Sequence, residues 1–385
     1  MSRFFSYLNS AKEILQLYKG EEPFASFLKK YFALNKKFGS KDRKQVAHLC
    51  YCYFRMGKML PALPITERIT GGLFLCSNEP NQILEALNPA LNDKTRLDSK
   101  QKCVILESLI TEIFPWKEEL TNKVDYESFC QSILIQPDLF IRLRPRKENL
   151  VKQKLQAANF EFKEETFSCI RLPNATKVDE IIDIDKDAVI QDYNSQSVFE
   201  LLQQQEVFFK EGFAVWDCCA ASGGKSIMAN DIFPKIELTV SDVRTSILHN
   251  LQKRFLMAGI KNYKSFVADL SKETAHINPG FDLIICDAPC SGSGTWSRTP
   301  EQLYYFEKEK INYYSELQKK IAINASKSLK NGGYFLYITC SVFKIENEDV
   351  ASAFVENSEL QLIGMEYYKG YDKKADTLFA ALFQL

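Results

Sequence analysis

Two cysteines stand where a thiol can act as a nucleophile. Cys290 follows Asp287, Ala288 and Pro289 at the end of an apolar, β-branched run (Phe281, Leu283, Ile284, Ile285), and a Gly/Ser-rich turn comes after it. Cys340 closes a second such run, Tyr334 to Thr339, ahead of Ser341. A thiolate at such a place can add to an electron-poor carbon, and a neighbouring carboxylate such as Asp287 can hold a ligand or stabilise developing charge. In open α/β sheets ligands bind outside the carboxyl ends of the strands, so two strands of one parallel sheet that both end in cysteine can set both thiols in one crevice. Taken alone, the first segment supports a plainer reading equally well: Pro289 and the glycines turn the chain, Asp287 caps the next segment, and Cys290 is an inert core residue.

The elements that must position these groups have their own signatures. Phe213 to Asp217 predicts a strand running into CCAASGGKS and then a helix from about Lys225. Glycines at a strand-to-helix turn let backbone approach a ligand, and the helix N-terminus offers unpaired N–H groups to an anion. A triphosphate-binding loop would need glycine at position 219, where this chain has cysteine, and the GxGxxG of dinucleotide folds is absent. A further strand, Ile236 to Val240, leads to Ser241 and Asp242, 25 residues beyond Asp217, a distance at which an acid can accept hydrogen bonds from both ribose hydroxyls of a cofactor. Asp242 can equally cap the helix that carries Ile247, Leu248, Leu251 and Phe255. Val267 to Leu270 closes a third strand and brings Asp269, which by itself is an ordinary loop acid. A long helix is expected from about Pro300 to Leu329, with Lys330, Asn331, Gly332 and Gly333 as its C-terminal cap signal. A helix at Glu348 to Glu356 and strands near Leu360 to Met365 and Leu378 to Phe383 follow.

DAPCSGSG with Arg298 and Pro300 after it, and YITCS followed by Glu346, Asn347 and Glu348, resemble two signature motifs of the RNA cytosine-5 methyltransferases of the Sun family, whose bacterial members modify ribosomal RNA. Cys219, Ala220, Ala221, Ser222, Gly223, Gly224 and Lys225 are similar to that family's S-adenosylmethionine motif, with Ser222 where the family usually has proline. The resemblance covers roughly residues 131 to 385. It implies S-adenosyl-L-methionine as cofactor, Asp269 beside the adenine and Asp287 on the target base. It also implies Cys340 as the attacking thiol and Cys290 as the residue that helps the product leave. The chemistry needs such a thiol: carbon 5 of cytosine is a poor nucleophile until a thiolate adds to carbon 6 and makes the ring an enamine. An unperturbed thiol is only about 3% thiolate at pH 7, so neighbouring donors or positive charge must favour ionisation. The target base must also leave its stack, which favours single-stranded or looped RNA.

The chain as a whole sets the frame. Its 385 residues, 45% hydrophobic and 25% charged, suit two or three globular domains. No apolar run approaches the roughly 18 residues of a membrane span, and the start lacks a signal-peptide pattern, so a cytoplasmic protein with reduced thiols is expected. Its 11 cysteines show no repeated CxxC spacing, Cys50 and Cys52 stand too close for the usual zinc pattern, and His48, His249 and His276 lie far apart, so no metal is expected. Net charge is zero, but residues 1 to 60 hold 12 Lys+Arg against 4 Asp+Glu, and 61 to 135 hold 7 against 11. A second basic cluster comprises Arg142, Arg144, Arg146, Lys147, Lys152 and Lys154. Two such clusters beside a catalytic domain suggest a phosphate-binding track, although solvated helix faces carry the same pattern.

Apolar residues at three- and four-residue spacing predict an all-helical domain over 1–130, including a capped helix from Ser40; GSKDRKQVAHLCYCYFR loosely resembles the helical RNA-binding domain of some family members, which implies that role here. Residues 131–205 predict a small α+β linking module, with a strand around Phe140, a helix from Leu150 to Ala158 and a strand from Phe167 to Leu172. Residues 206–385 form the Rossmann-like core, so the expected class is α/β, a seven-stranded methyltransferase sheet with the module and the helical domain before it. The expected protein is a monomer that methylates cytosine in RNA, ribosomal RNA above all, with no membrane partner. The rivals are a methyltransferase for another substrate class and a non-catalytic RNA-binding or ribosome assembly factor.

Overall fold

The computed structural model of the chain describes residues 3–205, 211–233, 235–272 and 280–385. His276 and the first residues of the expected core domain, 206–210, lie outside them. The chain divides into two compact units, one of residues 1–136 with 295–308 and one of 137–294 with 309–385.

The first unit is helical. Helix α1 (Arg3–Leu17) buries Tyr7, Leu8, Ala11, Ile14 and Leu15, and α2 (Phe24–Leu34) buries Phe24, Leu28, Tyr31 and Phe32, the one-sided stripes of amphipathic helices. Helices α3 (Ser40–Arg55) and α4 (Ile65–Cys76) pack into the same core. The cap of α3 sits one residue earlier than Ser40: Gly39 donates its N–H to Asp42 Oδ2 at 3.1 Å, and Tyr7 binds the other oxygen at 2.6 Å. Residues 295–308 supply the helix Pro300–Tyr305, whose Glu301 accepts from Phe24 N at 3.3 Å and whose Tyr304 bonds the Tyr53 hydroxyl at 2.8 Å. The single long helix expected from Pro300 is therefore two helices. Phe306 is extended and packs its ring on Trp116 and Trp296, which ends the first one.

The second unit holds two sheets among the described residues. Strands β1 (Leu139–Leu143), β2 (Lys163–Thr166), β3 (Cys169–Leu172) and β4 (Ala188–Ile190) form an antiparallel sheet in the order β2-β3-β1-β4, with helix α5 (Glu148–Ala157) burying Val151 and Leu155. The larger sheet comprises β5 (Ala214–Asp217), β6 (Glu237–Asp242), β7 (Tyr263–Val267), β8 (Phe281–Asp287), β9 (Leu329–Thr339), β10 (Gln361–Tyr368) and β11 (Leu378–Gln384), ordered β10-β11-β9-β8-β5-β6-β7. Six strands run in one direction, and β11 is antiparallel to both of its neighbours. Alternate residues enter separate cores: Val215, Leu283 and Ile285 on one face, Trp216, Ile284 and Cys286 on the other. A sheet buried on both faces reads as continuous apolar runs, as these strands do. Helices α6 (Gly224–Ile232), α7 (Thr245–Ala258), α8 (Glu309–Ser326) and α9 (Glu348–Glu356) follow in the chain.

The Gly332–Gly333 signal is no helix cap. Helix α8 stops at Ser326, and Lys330 to Gly333 lie inside β9, where the pairing with β8 slips and Gly332 takes φ +77°. The second basic cluster is likewise not an open phosphate track. Arg142 and Arg144 clasp Asp231 at 2.7 and 2.6 Å, Lys154 and Lys147 reach Asp187 at 2.7 and 3.5 Å, and Lys152 pairs with Glu164 at 2.6 Å. These charges tie the small sheet together and join it to α6.

Candidate active site

Strands β8 and β9 are parallel neighbours in which Asp287 pairs with Ile338, so the chains leaving them run side by side. Ala288 donates to Ile338 O and Gly294 to Cys340 O, both at 2.9 Å, and this brings the Cys290 and Cys340 sulfurs to 3.3 Å. Glycine at 294 is required, because a Cβ there would lie 2.0 Å from Thr377 O and 3.1 Å from Cys340 O. A hydrogen bond with Cys340 and then burial push the Cys290 thiol well above its ordinary range, so Cys290 holds its proton.

The surrounding side chains hold this pair. Glu346, fully buried, accepts from Ser291 N at 2.8 Å and from Gln318 Nε2 at 3.1 Å, while Gln318 also donates to Pro289 O at 2.9 Å. Asn347 donates to Ser341 O at 2.8 Å. Glu346 and Asn347 thus brace both thiol loops. They stood in the sequence only as part of a motif, without a role, and Gln318 carried no sequence signal at all. Burial raises the Glu346 carboxyl above its usual range, against the pull of its Ser291 and Gln318 bonds.

Asp287 meets Lys225 of α6 at 2.7 Å. Burial opposes the Lys225 ammonium, but Asp287, with Cys340 and Asp217 adding to it, keeps its pKa above the ordinary value. Burial pushes Asp217 up to about 7; Ser226 donates to its Oδ2 at 2.6 Å, and its Oδ1 has no hydrogen-bond partner among the described residues.

The turn between β5 and α6 closes tightly. Gly223 has φ +84°, and a Cβ on it would come within 2.8 Å of the Phe255 ring, so both backbone and packing demand glycine. Ala221 N donates to Asp242 Oδ2 at 3.0 Å. Ser222 is clamped: Arg254 of α7 donates to its hydroxyl at 2.9 Å and to its carbonyl at 3.0 Å, and is itself paired with Asp185 at 2.7 Å. A hydrogen-bonded clamp therefore restrains the turn at the position where proline would stiffen it. Asp242 is not the side-chain cap of α7, whose N-cap is Arg244; its Oδ1 instead accepts Arg244 N at 2.9 Å and pairs with the exposed Arg244 side chain at 3.1 Å. Asp269 follows β7 and is held below its usual range by Ser271 and Lys272.

A cavity of about 580 Å³ opens at these strand ends. Cys219, Ala221, Asp242, Asp269, Asp287 and Cys290 line it, with Cys218, Val243, Arg244 and, from α8, Tyr313, Tyr314 and Leu317. Gly223, Gly224 and Lys225 stand behind the lining, at the turn and the start of α6. The volume suits a small molecule, and acids at three strand ends with a helix N-terminus offer acceptors for hydroxyls and donors for a carboxylate. Among the described residues, no helix is long and apolar enough to cross a membrane.

Residues 205–379 match the family described as 16S rRNA methyltransferase RsmB/F. Ribosomal RNA small subunit methyltransferase B of Shewanella oneidensis is 33% identical over 141 residues, 37% of this chain and 33% of that protein. The chain spans between a third and a half of the length of the curated relatives it matches. Its fold is similar to that of the crystal structure of PH0851, with a TM-score of 0.71 at 20% identity over 98% of both chains. It is also similar to NSun6 from Pyrococcus horikoshii with SFG, with a TM-score of 0.59 at 15% identity over 70% of this chain and 96% of that one.

Proposed function

We propose, from the match of residues 205–379 to the RsmB/F methyltransferase family, that the protein methylates carbon 5 of a cytosine in RNA, ribosomal RNA above all, with S-adenosyl-L-methionine as cofactor. The observation that carries the reading is the pair of thiols 3.3 Å apart at adjacent strand ends, next to the Lys225–Asp287 ion pair.

The residues present fit the cofactor. The cavity has the right size, Asp242 can accept the ribose hydroxyls once the exposed Arg244 swings aside, and Asp269 stands one strand further for the adenine. The turn from Cys219 to Gly224 and the N-terminus of α6 suit the carboxylate end, and the open Asp217 Oδ1 can take a buried donor. Bound there, S-adenosylmethionine supplies an electrophilic methyl group.

The chain's own residues act on the base. Cys340 as thiolate adds to carbon 6, and its electron pair makes carbon 5 nucleophilic. Asp287 holds the ring at the exocyclic amine and N3, where it stabilises the charge that develops as the thiolate adds and N3 takes up a proton. After methylation the carbon 5 proton leaves to a base and Cys340 is expelled; Cys290, which keeps its proton beside that sulfur, assists the departure. The exposed lysines of α2 and α3 make residues 1–136 the candidate RNA-binding unit, and a monomer working in the cytoplasm completes the proposal.

Cys290→Ala and Cys340→Ala separate the two thiols. Each variant is incubated with ribosomal RNA and cofactor and run on a denaturing gel. A covalent protein–RNA band is expected for Cys290→Ala, which attacks but releases slowly, and none for Cys340→Ala. The opposite pattern transfers the nucleophile to Cys290. Bisulfite sequencing of ribosomal RNA from cells with and without the gene tests the substrate, and an unchanged pattern removes it.

A further inference from the structure

Three further thiols meet beside this site. Cys218 and Cys219 follow β5, and Cys286 is the penultimate residue of β8, the strand paired with β5. Asp217 lies opposite Ile285, and Cys218 N donates to Ile285 O at 2.9 Å, so the register delivers Cys286 to the point where β5 ends. The three sulfurs lie within 4.8 Å of one another. Consecutive residues on an extended chain point to opposite sides. Here the turn out of β5 brings Cys218 and Cys219 to a common point with Cys286. The three pack at the edge of the apolar core that holds Trp216 and Ile284, and their sulfurs converge on one point, as a soft ion requires.

We propose that Cys218, Cys219 and Cys286 form a three-thiolate site for one thiophilic d10 metal ion of the zinc, copper(I) and cadmium class, and that its occupation opposes cofactor binding. Zinc–sulfur bonds of about 2.3 Å place three trigonal sulfurs about 4 Å apart, a spacing compatible with a cluster whose sulfurs all lie within 4.8 Å of one another. Thiolates select soft ions over calcium or magnesium. On binding, three S–H protons pass to solvent as three metal–sulfur bonds form, and no electron is transferred. Cys218 and Cys219 also line the 580 Å³ cavity, so an ion that draws their sulfurs together reshapes its wall. This second half rests on the cofactor reading above. By linkage, the factor by which the ion weakens the cofactor is the factor by which the cofactor weakens the ion.

Cadmium is the probe, because its bonds to thiolate absorb in the ultraviolet. The reduced full-length chain is titrated with Cd2+ against a competing chelator. One ion per chain is expected, retained in the Cys290→Ala/Cys340→Ala double variant and weakened at least about tenfold in Cys286→Ala. Cys218→Ser is the second variant should Cys286→Ala fail to fold, with circular dichroism as the check. Unchanged affinity in a folded Cys286→Ala or Cys218→Ser variant overturns the site. So does loss of binding in the double variant, which would place the ion on the other thiol pair, or in Cys52→Ser, since Cys52 lies 3.6 Å from a His48 nitrogen in the helical unit. Cadmium affinity that ignores S-adenosylmethionine, in protein that binds it by calorimetry, overturns the antagonism. Protein that does not bind S-adenosylmethionine at all sinks the cofactor reading and leaves the metal measurement standing.

Discussion

Asp231 and Asp217 have well-buried side chains in the same unit, and their surroundings are opposite. Asp231, 4% exposed, lies between two guanidiniums, and Arg144 bonds the Asp185 and Ala258 carbonyls besides, at 3.0 and 2.6 Å. Asp217 has one hydroxyl partner and an open oxygen, and nearby Glu346 Oε1 and Gln318 Oε1 are also buried without a partner among the described residues. An unsatisfied buried polar atom costs about 1–3 kcal/mol. The matched region around Asp231, where Arg142 Nη2 is the exception, holds the two sheets together. The region at the strand ends keeps acceptors ready for donors that a ligand brings, and buried acids with shifted pKa values cluster at such sites.

The comparison breaks most readily at Asp231. Asp231→Ala leaves Arg142 and Arg144 buried without their counter-charge, and a loss of about 3–5 kcal/mol is expected in urea unfolding of the full chain. A loss below about 1 kcal/mol would make these pairs equivalent to surface ones.

Asp217 should show the reverse in its pH dependence. Its folded pKa of about 7 lies above the ordinary 3.8, so between these values the native state binds more protons than the unfolded one. Stability is therefore highest at the acid end of this window, falls as pH rises through it, and is flat above about 7. From pH 5 to pH 8 the fall is of the order of 2–3 kcal/mol. Asp217→Asn should remove that slope; an identical slope in the variant would assign it to other groups.

At the cavity, Asp242→Ala should weaken S-adenosylmethionine by about 1.5–3 kcal/mol in calorimetry, the range for hydrogen bonds to a charged group. Full affinity in a folded variant would confine Asp242 to ordering Ala221 and Arg244.

The smallest effect on stability belongs to the exposed lysines of the helical unit. Replacing Lys29, Lys36 and Lys37 together by glutamate should leave the unfolding midpoint in place while lowering RNA affinity and flattening its salt dependence. The second basic cluster should respond the other way, with stability lost first, and equal responses would erase the distinction between them.

Much of the candidate site was legible from the sequence because its parts are local. The run into Asp287, the turn after Asp217 and the strand before Cys340 each declare themselves within about ten residues, through apolar runs and glycines. The charge count at Arg142–Lys154 misled, because a positive residue looks the same in sequence whether water or a carboxylate surrounds it. The long helix misled similarly: periodicity continues through Phe306, and only its packing on Trp116 and Trp296 shows why the helix ends there.

By itself, then, the sequence determined the seven strands, most of the helices between them and the residues at the strand ends, since side-chain alternation and turn chemistry act between neighbours. Tertiary structure alone decided which of these residues meet. Arg142 finds Asp231 across 89 positions, Cys290 finds Cys340 across 50, and Cys218 finds Cys286 because β5 and β8 pair in one register and no other. The physical reason is that a strand's own pattern says which side chains face the core, while the identity and register of its neighbour depend on the burial of the whole sheet at once.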